Sequence, residues 1–301
     1  MSQPPVIAVV GPTAAGKSDL AVDLALELGG EVINADSMQL YRGMDIGTAK
    51  LSVAERRGVP HHLLDIWDVT RTASVAEYQA LVRPLIDDLR ARGVVPILAG
   101  GSGLYVRAAL DDLEFPGTDP EVRARLEAEL DRVGTAPLYE RLRERDPEAA
   151  GTILPSNGRR IVRALEVIEI SGRPFSATMP SYDAVYDSVQ LGVEVPREVL
   201  DARIEARVER MWEAGLVEEV RGLAARGLAE GRTASRALGY AQVLRFLAGE
   251  WTEKEAMDET VRATRRFVRR QESWFRRDPR VVWLPQRAPD LLGRALDVVR
   301  R

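Results

Sequence analysis

The chain has 301 residues, 45% of them hydrophobic and 29% charged, with a formal net charge of −4. That is the balance of a soluble globular protein holding one large core, or a core plus a smaller module. It has no cysteine, which excludes disulfides, a thiol nucleophile and a cysteine-based zinc site.

The opening residues Met1 to Pro5 carry no basic n-region, and the apolar run Val6–Val10 ends at a glycine turn. Neither a signal peptide nor a membrane span is expected, and the protein reads as a cytoplasmic enzyme. After that run, Gly11, Pro12, Thr13, Ala14, Ala15, Gly16, Lys17 and Ser18 fit the pattern G-x-x-x-x-G-K-[ST] at every fixed position. An amphipathic stretch to Leu28 follows, so the match sits in a strand–loop–helix context. Such a loop turns successive N–H groups inward at a helix N-terminus and favours a di- or triphosphate. Lys17 is placed to reach a terminal phosphate, and the Ser18 hydroxyl to ligate magnesium. A nucleoside triphosphate is the usual guest, but any diphosphate ester offers the same oxygens.

A second strand is expected over Glu31–Ala35, ending at Asp36. Ligands of open α/β sheets bind beyond the carboxyl ends of strands, so Asp36 reads as a general base or a magnesium-water ligand. A turn or helix-capping role is the alternative. His61 and His62, the only histidines, have no third ligand in reach and read as loop stabilisers. A helix is expected over Ser74–Arg92 and a strand over Val94–Ala99. That strand runs into Gly100-Gly101-Ser102-Gly103 instead of a metal-directed acid. Ser102 is therefore either a hydroxyl donor at the crevice or part of a plain glycine turn.

From about Phe115 to Tyr186 strands give way to helical patterns at Pro120–Val133, Ala136–Arg145 and Gly158–Ile170, with a polar, proline-broken stretch over Gly172–Tyr182. The expected class is α/β: a P-loop parallel sheet core flanked by helices, residues 1–114 and 187–301, with an all-helical insertion domain over 115–186. Alternation returns at Val189–Val195. Helices follow at Arg197–Trp212, Leu216–Arg226, Ala237–Ala248 and Thr252–Arg277, then a short strand Val281–Leu284 and a closing helix.

Arg203 and Arg207 stand four apart on one helix face. They suit a clamp on a departing diphosphate, or a surface helix salt-bridged to Asp201, Glu205 and Glu209. Two basic clusters, Arg159-Arg160-Arg163 and Arg262 to Arg277, sit on an acidic chain. They are compatible with a polyanionic partner or with arginine replacing lysine on solvated faces. The tryptophans are scattered and read mostly as packing residues.

One block is far more specific than a phosphate loop. Asp36-Ser37-Met38-Gln39-Leu40-Tyr41-Arg42-Gly43-Met44-Asp45-Ile46-Gly47-Thr48-Ala49-Lys50 stands with the loop, Pro60 to Asp65, Gly100 to Tyr105, Asp119 to Arg123, Arg160 to Val167 and Arg236 to Tyr240. Together these resemble the bacterial tRNA dimethylallyltransferase (tRNA isopentenyltransferase) family, from Val6 to about Trp274. Ser102 departs from the family's common threonine but keeps the hydroxyl. Leu51 replaces a common proline.

The resemblance implies transfer of a dimethylallyl group from dimethylallyl diphosphate to N6 of the adenine 3′ of the anticodon, in tRNAs reading codons that begin with U. It implies Asp36, Lys17, Ser102, Arg123 and Arg207 as catalytic, with the loop residues, Arg203 and Arg207 holding diphosphate and Mg2+ on Ser18. It implies Asp36, Ser37, Met38, Gln39, Arg159, Arg160, Arg163, Arg236, Gly239 and Tyr240 as contacts to the anticodon stem-loop. No feature demands a dimer, and a monomer is expected. The rivals are a P-loop small-molecule kinase, an isopentenyltransferase acting on free adenine nucleotides, and a non-catalytic RNA-binding protein with a vestigial loop.

Overall fold

The computed structural model describes residues 3–176 and 182–301, so part of the proline-broken stretch, residues 177–181, lies outside it. Two compact units are present, residues 1–110 with 186–301 and residues 111–185.

In the larger unit six strands form one parallel sheet: β1 (Val6–Val10), β2 (Gly30–Asn34), β3 (His61–His62), β4 (Val95–Ala99), β5 (Ser188–Glu194) and β6 (Val281–Pro285). Their order is β3-β2-β4-β1-β5-β6. All five residues of β1 are fully buried, as a central strand covered on both faces requires. Its β-branched run packs with Leu191, Val193 and the helix that follows the loop. Neighbours β4 and β5 pair with β1 through Ile7↔Ile97 and Val9↔Leu191. The polar loops therefore gather where β1, β2 and β4 end.

His61 and His62 differ from their expected loop role. They form a short edge strand in register with Val32 and Ile33, and the His62 ring contacts Glu31 Oε2 at 2.6 Å. Two residues are too few to show alternation, which is why the pattern was invisible.

The helices of this unit are α1 (Lys17–Leu28), α2 (Val75–Ala91) and α3 (Gly103–Leu110), then, after the insertion, α8 (Arg197–Glu213), α9 (Leu216–Ala224), α10 (Tyr240–Leu247), α11 (Glu253–Phe275) and α12 (Leu291–Val299). Gly239 has φ +85° and stops α10 from starting at Ala237, where the pattern placed it. At α11 Thr252 and Glu255 cap each other reciprocally, with Thr252 Oγ1 accepting from the Glu255 N–H at 3.2 Å.

The smaller unit contains α4 (Pro120–Val133), α5 (Thr135–Arg145), α6 (Pro147–Thr152) and α7 (Gly158–Ser171). Leu126, Leu138, Leu142, Ile161 and Leu165 make its core. Among the described residues no helix is long and apolar enough to cross a membrane.

Candidate active site

The loop after β1 needs glycine twice. Gly11 has φ +134°, and a Cβ there would lie 3.0 Å from the Val193 carbonyl oxygen; Gly16 has φ +90° where α1 begins. Ala14 is also left-handed, at φ +63°. This curl directs free N–H groups and the first turn of α1 into a cavity of about 820 Å3.

Lys17 folds back so that Nζ donates to the Pro12 carbonyl at 2.6 Å. Burial pulls its pKa down to about 8; Asp36 opposes the shift and Arg207 adds to it. A lysine whose charge is made costly by burial gains from a diphosphate, which stabilises the charged form.

One expectation needs correction. Among the loop residues read as holding diphosphate, Thr13 does not offer its backbone: its N–H donates to Gln271 Oε1 at 2.9 Å. The free set therefore starts at Ala14.

Asp36 lies just past β2. The buried Asn34 holds its backbone from both sides, accepting from the Asp36 N–H at 2.9 Å and donating to its carbonyl at 3.0 Å. Oδ1 of Asp36 accepts from the Met38 N–H at 2.9 Å. The residue lines the loop's cavity and a second one of about 290 Å3. Thr13, Thr48, Arg207 and Met211 line both as well.

Apolar Ile204, Val208, Leu238 and Phe267 wall the second cavity, with Arg236 and Arg270 beside them. Ser102 belongs there too. Its Oγ accepts from the Ser37 N–H at 3.2 Å and lies 3.3 Å from Ser37 Oγ. The glycines before it permit that approach: a Cβ on Gly100 would fall 2.3 Å from the Ala35 backbone.

The surface-helix reading of Arg203 and Arg207 does not hold. Asp201 pairs with Arg197 and Arg265, and Glu205 with Arg265. Arg203 instead donates to Gln286 Oε1 at 2.8 Å and the Ala14 carbonyl at 3.5 Å, and Arg207 to the Thr48 carbonyl at 3.5 Å. Both guanidinium groups touch neutral acceptors and line the loop's cavity, where burial lowers the Arg207 pKa.

Other residues take different tasks from those the sequence suggested. Tyr240 is fully buried: its hydroxyl donates to Glu219 at 2.5 Å and its ring fills the space a Gly47 side chain would need. Glu219 also accepts the N–H groups of Asp45, Ile46 and Gly47 at 3.1, 2.8 and 3.3 Å. The Tyr240 side chain thus offers RNA no surface; it shapes the Asp45–Thr48 loop. Gly239 is buried and donates to Gln242, whereas Arg236 is exposed. Gln39 Nε2 donates to the Thr48 carbonyl at 3.1 Å. Lys50, almost fully buried, holds Asp45 and Asp65 at 2.6 Å each.

In the smaller unit Arg123 and Arg163 close on the buried carboxylate of Glu166, and Arg163 also donates to the Pro116 and Gly117 carbonyls. Their guanidinium groups are engaged, unlike those of the exposed Arg159 and Arg160, which make no ion pair among the described residues. The sequence missed Gln271, Glu219 and Gln286. Gln271 and Glu219 lie far along the chain from the loops they hold, Gln286 lies 83 residues from the Arg203 it meets, and none carries a local pattern.

The donor set for magnesium is one hydroxyl, Ser18, on a cavity that Asp36 also lines. Among the described residues no group of three or more acidic, histidine or cysteine side chains forms a cage. This fits a magnesium that takes most of its ligands from phosphate oxygens and water.

A family model described as IPP transferase matches residues 39–278. The tRNA dimethylallyltransferase of Thermobifida fusca (strain YX) is 70% identical, covering 98% of this chain and 94% of its own. Similar solved structures include one from a bacterium and one from a eukaryote. A full-length tRNA isopentenylpyrophosphate transferase of Bacillus halodurans is 40% identical, with a TM-score of 0.73 over 99% of this chain and 95% of that one. A eukaryotic dimethylallyltransferase acting on tRNA is 25% identical, with a TM-score of 0.81 over 94% and 74%. With a model matched over most of its length and relatives this close, the chain belongs to the IPP transferase family.

Proposed function

We propose that the protein transfers a dimethylallyl group from dimethylallyl diphosphate to N6 of the adenine at tRNA position 37, just 3′ of the anticodon, in tRNAs reading codons that start with U. The observation that carries this reading is the wall shared by two cavities. Asp36 and Arg207 stand where a phosphate-binding hollow meets a smaller, partly apolar one.

The diphosphate lies against the N–H groups of Ala14 to Ser18, with Lys17, Arg203 and Arg207 around it. The adenine leaves its stack and enters the second cavity, where Ile204, Val208 and Phe267 give it apolar walls. Its exocyclic amine is a weak nucleophile because the lone pair is delocalised into the ring. As the N6–C1 bond forms and the C1–O bond breaks, the amine proton passes to the Asp36 carboxylate and the diphosphate departs. Lys17, Arg203 and Arg207 stabilise the charge that develops on the leaving oxygens. Ser18 would hold a magnesium ion there, which would supply charge neutralisation on the diphosphate.

Ser102, hydrogen-bonded to Ser37, fixes the loop beside Asp36. Ser37, Met38 and Gln39 face the incoming nucleotide, and Arg236 binds phosphate at the edge. Arg159 and Arg160 meet the stem-loop backbone. Arg123 and Arg163 act by ordering the insertion through Glu166. The enzyme works as a cytoplasmic monomer.

The test supplies 14C-dimethylallyl diphosphate with an anticodon stem-loop, and separately with AMP, ADP or ATP. Label in the RNA and none in the free nucleotides supports the reading. Label in the nucleotides alone assigns the activity to the free-nucleotide class. Phosphate transferred from ATP with the prenyl donor ignored identifies a kinase.

A further inference from the structure

Gln271 belongs to none of the groups assigned above, yet it sits between the two glycine-rich turns of the site. It is 4% exposed, on the helix α11 that also carries Phe267 and Arg270. Its side-chain amide uses both ends. Oε1 accepts from the Thr13 N–H at 2.9 Å, and Nε2 donates to the Gly101 carbonyl at 2.9 Å. The fit admits little else: a Cβ on Gly101 would lie 2.2 Å from Nε2 and 3.3 Å from the Gly11 carbonyl oxygen. Glutamine supplies a donor and an acceptor on one rigid plane, so a single side chain sets the spacing of two backbone segments.

From these contacts we infer that Gln271 is a positioning residue that couples the nucleobase cavity to the diphosphate loop. It acts on the donor side by removing the Thr13 N–H from the anion-binding set and fixing the curl from which Ala14 to Ser18 present theirs. It acts on the acceptor side by holding Gly101, next to Ser102, whose hydroxyl meets Ser37. Because α11 lines the cavity where the base enters, a base pressing on Phe267 and Arg270 is mechanically continuous with the turn that grips the leaving group. The inference rests on the prenyl-transfer reading, but its first arm does not.

That arm uses inorganic pyrophosphate with Mg2+ as the probe. Gln271→Met keeps the length and removes both hydrogen bonds, so the turn is no longer held in its binding curl and the pyrophosphate Kd should rise about tenfold, the cost of ordering it on binding. Its KM for dimethylallyl diphosphate should rise by a similar factor, and KM for the stem-loop by a smaller one of about threefold, because Gly101 and the Ser102–Ser37 contact lose their hold as well. An increase confined to the stem-loop KM would make Gln271 an RNA contact and overturn the inference. So would unchanged pyrophosphate affinity in a folded variant.

Amide exchange in the native protein covers the case where the variant does not fold. Thr13 should be protected with or without pyrophosphate, and Ala14 to Ser18 should gain protection only when it is present. Free exchange at Thr13 in the unliganded protein contradicts the account. Failure of the native enzyme to prenylate RNA would sink the proposed function while leaving both pyrophosphate results to judge Gln271.

Discussion

The same residue type does opposite work in two regions. In the larger unit Arg203 and Arg207 line a phosphate-sized hollow and bond only to carbonyl and amide oxygens, so no carboxylate pairs with them and Asp36 on the same wall offsets the Arg207 charge only through space. In the smaller unit Arg123 and Arg163 converge on Glu166, which is fully buried and whose carboxyl they hold below its usual range against the opposing effect of burial. One pair waits for an anion; the other already has one. A buried carboxylate with two guanidinium partners is an ordering device, whereas two half-buried cations with no carboxylate bonded to them are a binding site in waiting.

The contrast can be broken most severely at its centre. Asp36→Ala should leave binding of both substrates within a few-fold and lower turnover by about a thousandfold, within the range for losing a general base; single-turnover kinetics with equilibrium binding checks this. Arg207→Gln should lower kcat by about a hundredfold with little effect on thermal stability, because the site loses charge at the leaving group and no native ion pair is broken. Arg123→Met should do the reverse. It leaves Glu166 under-compensated and should destabilise the smaller unit by up to about 3 kcal/mol, read by denaturant unfolding.

A smaller effect is set by pH. Lys17 has its pKa lowered, so the free enzyme loses this cation as pH rises through about 8. The kcat/KM for the prenyl donor should therefore fall on the alkaline side of that value, and Lys17→Met should remove that limb of the profile. The mildest change is at Arg159 and Arg160. Neutralising both should raise the stem-loop KM several-fold and flatten its salt dependence, with donor affinity unaffected.

Much of this was legible in the chain. The phosphate loop, the strand leading to Asp36 and the Gly-Gly-Ser-Gly turn are local patterns, and local patterns survive into structure because backbone sterics fix them. Arginine partners are a different matter. Arg163 and Glu166 are three apart and readable, but Arg123 meets the same carboxylate from forty-three residues away. Tyr240 sits in a segment that resembled an RNA contact, and only the fold shows its ring filling the gap above Gly47. Gln271 stands amid arginines whose charge draws the eye, and its partners Thr13 and Gly101 lie 258 and 170 positions earlier. Sequence shows which residues carry charge; the fold decides which charges are already answered.

The central claim is most directly tested by a crystal structure with a non-hydrolysable dimethylallyl diphosphate analogue and an anticodon stem-loop. The account predicts the diphosphate against the Ala14–Ser18 amides and both Arg203 and Arg207, with the flipped adenine's N6 about 3 Å from an Asp36 carboxylate oxygen. An adenine bound outside the smaller cavity, or an Asp36 carboxylate turned away from N6 with the diphosphate in place, would contradict it.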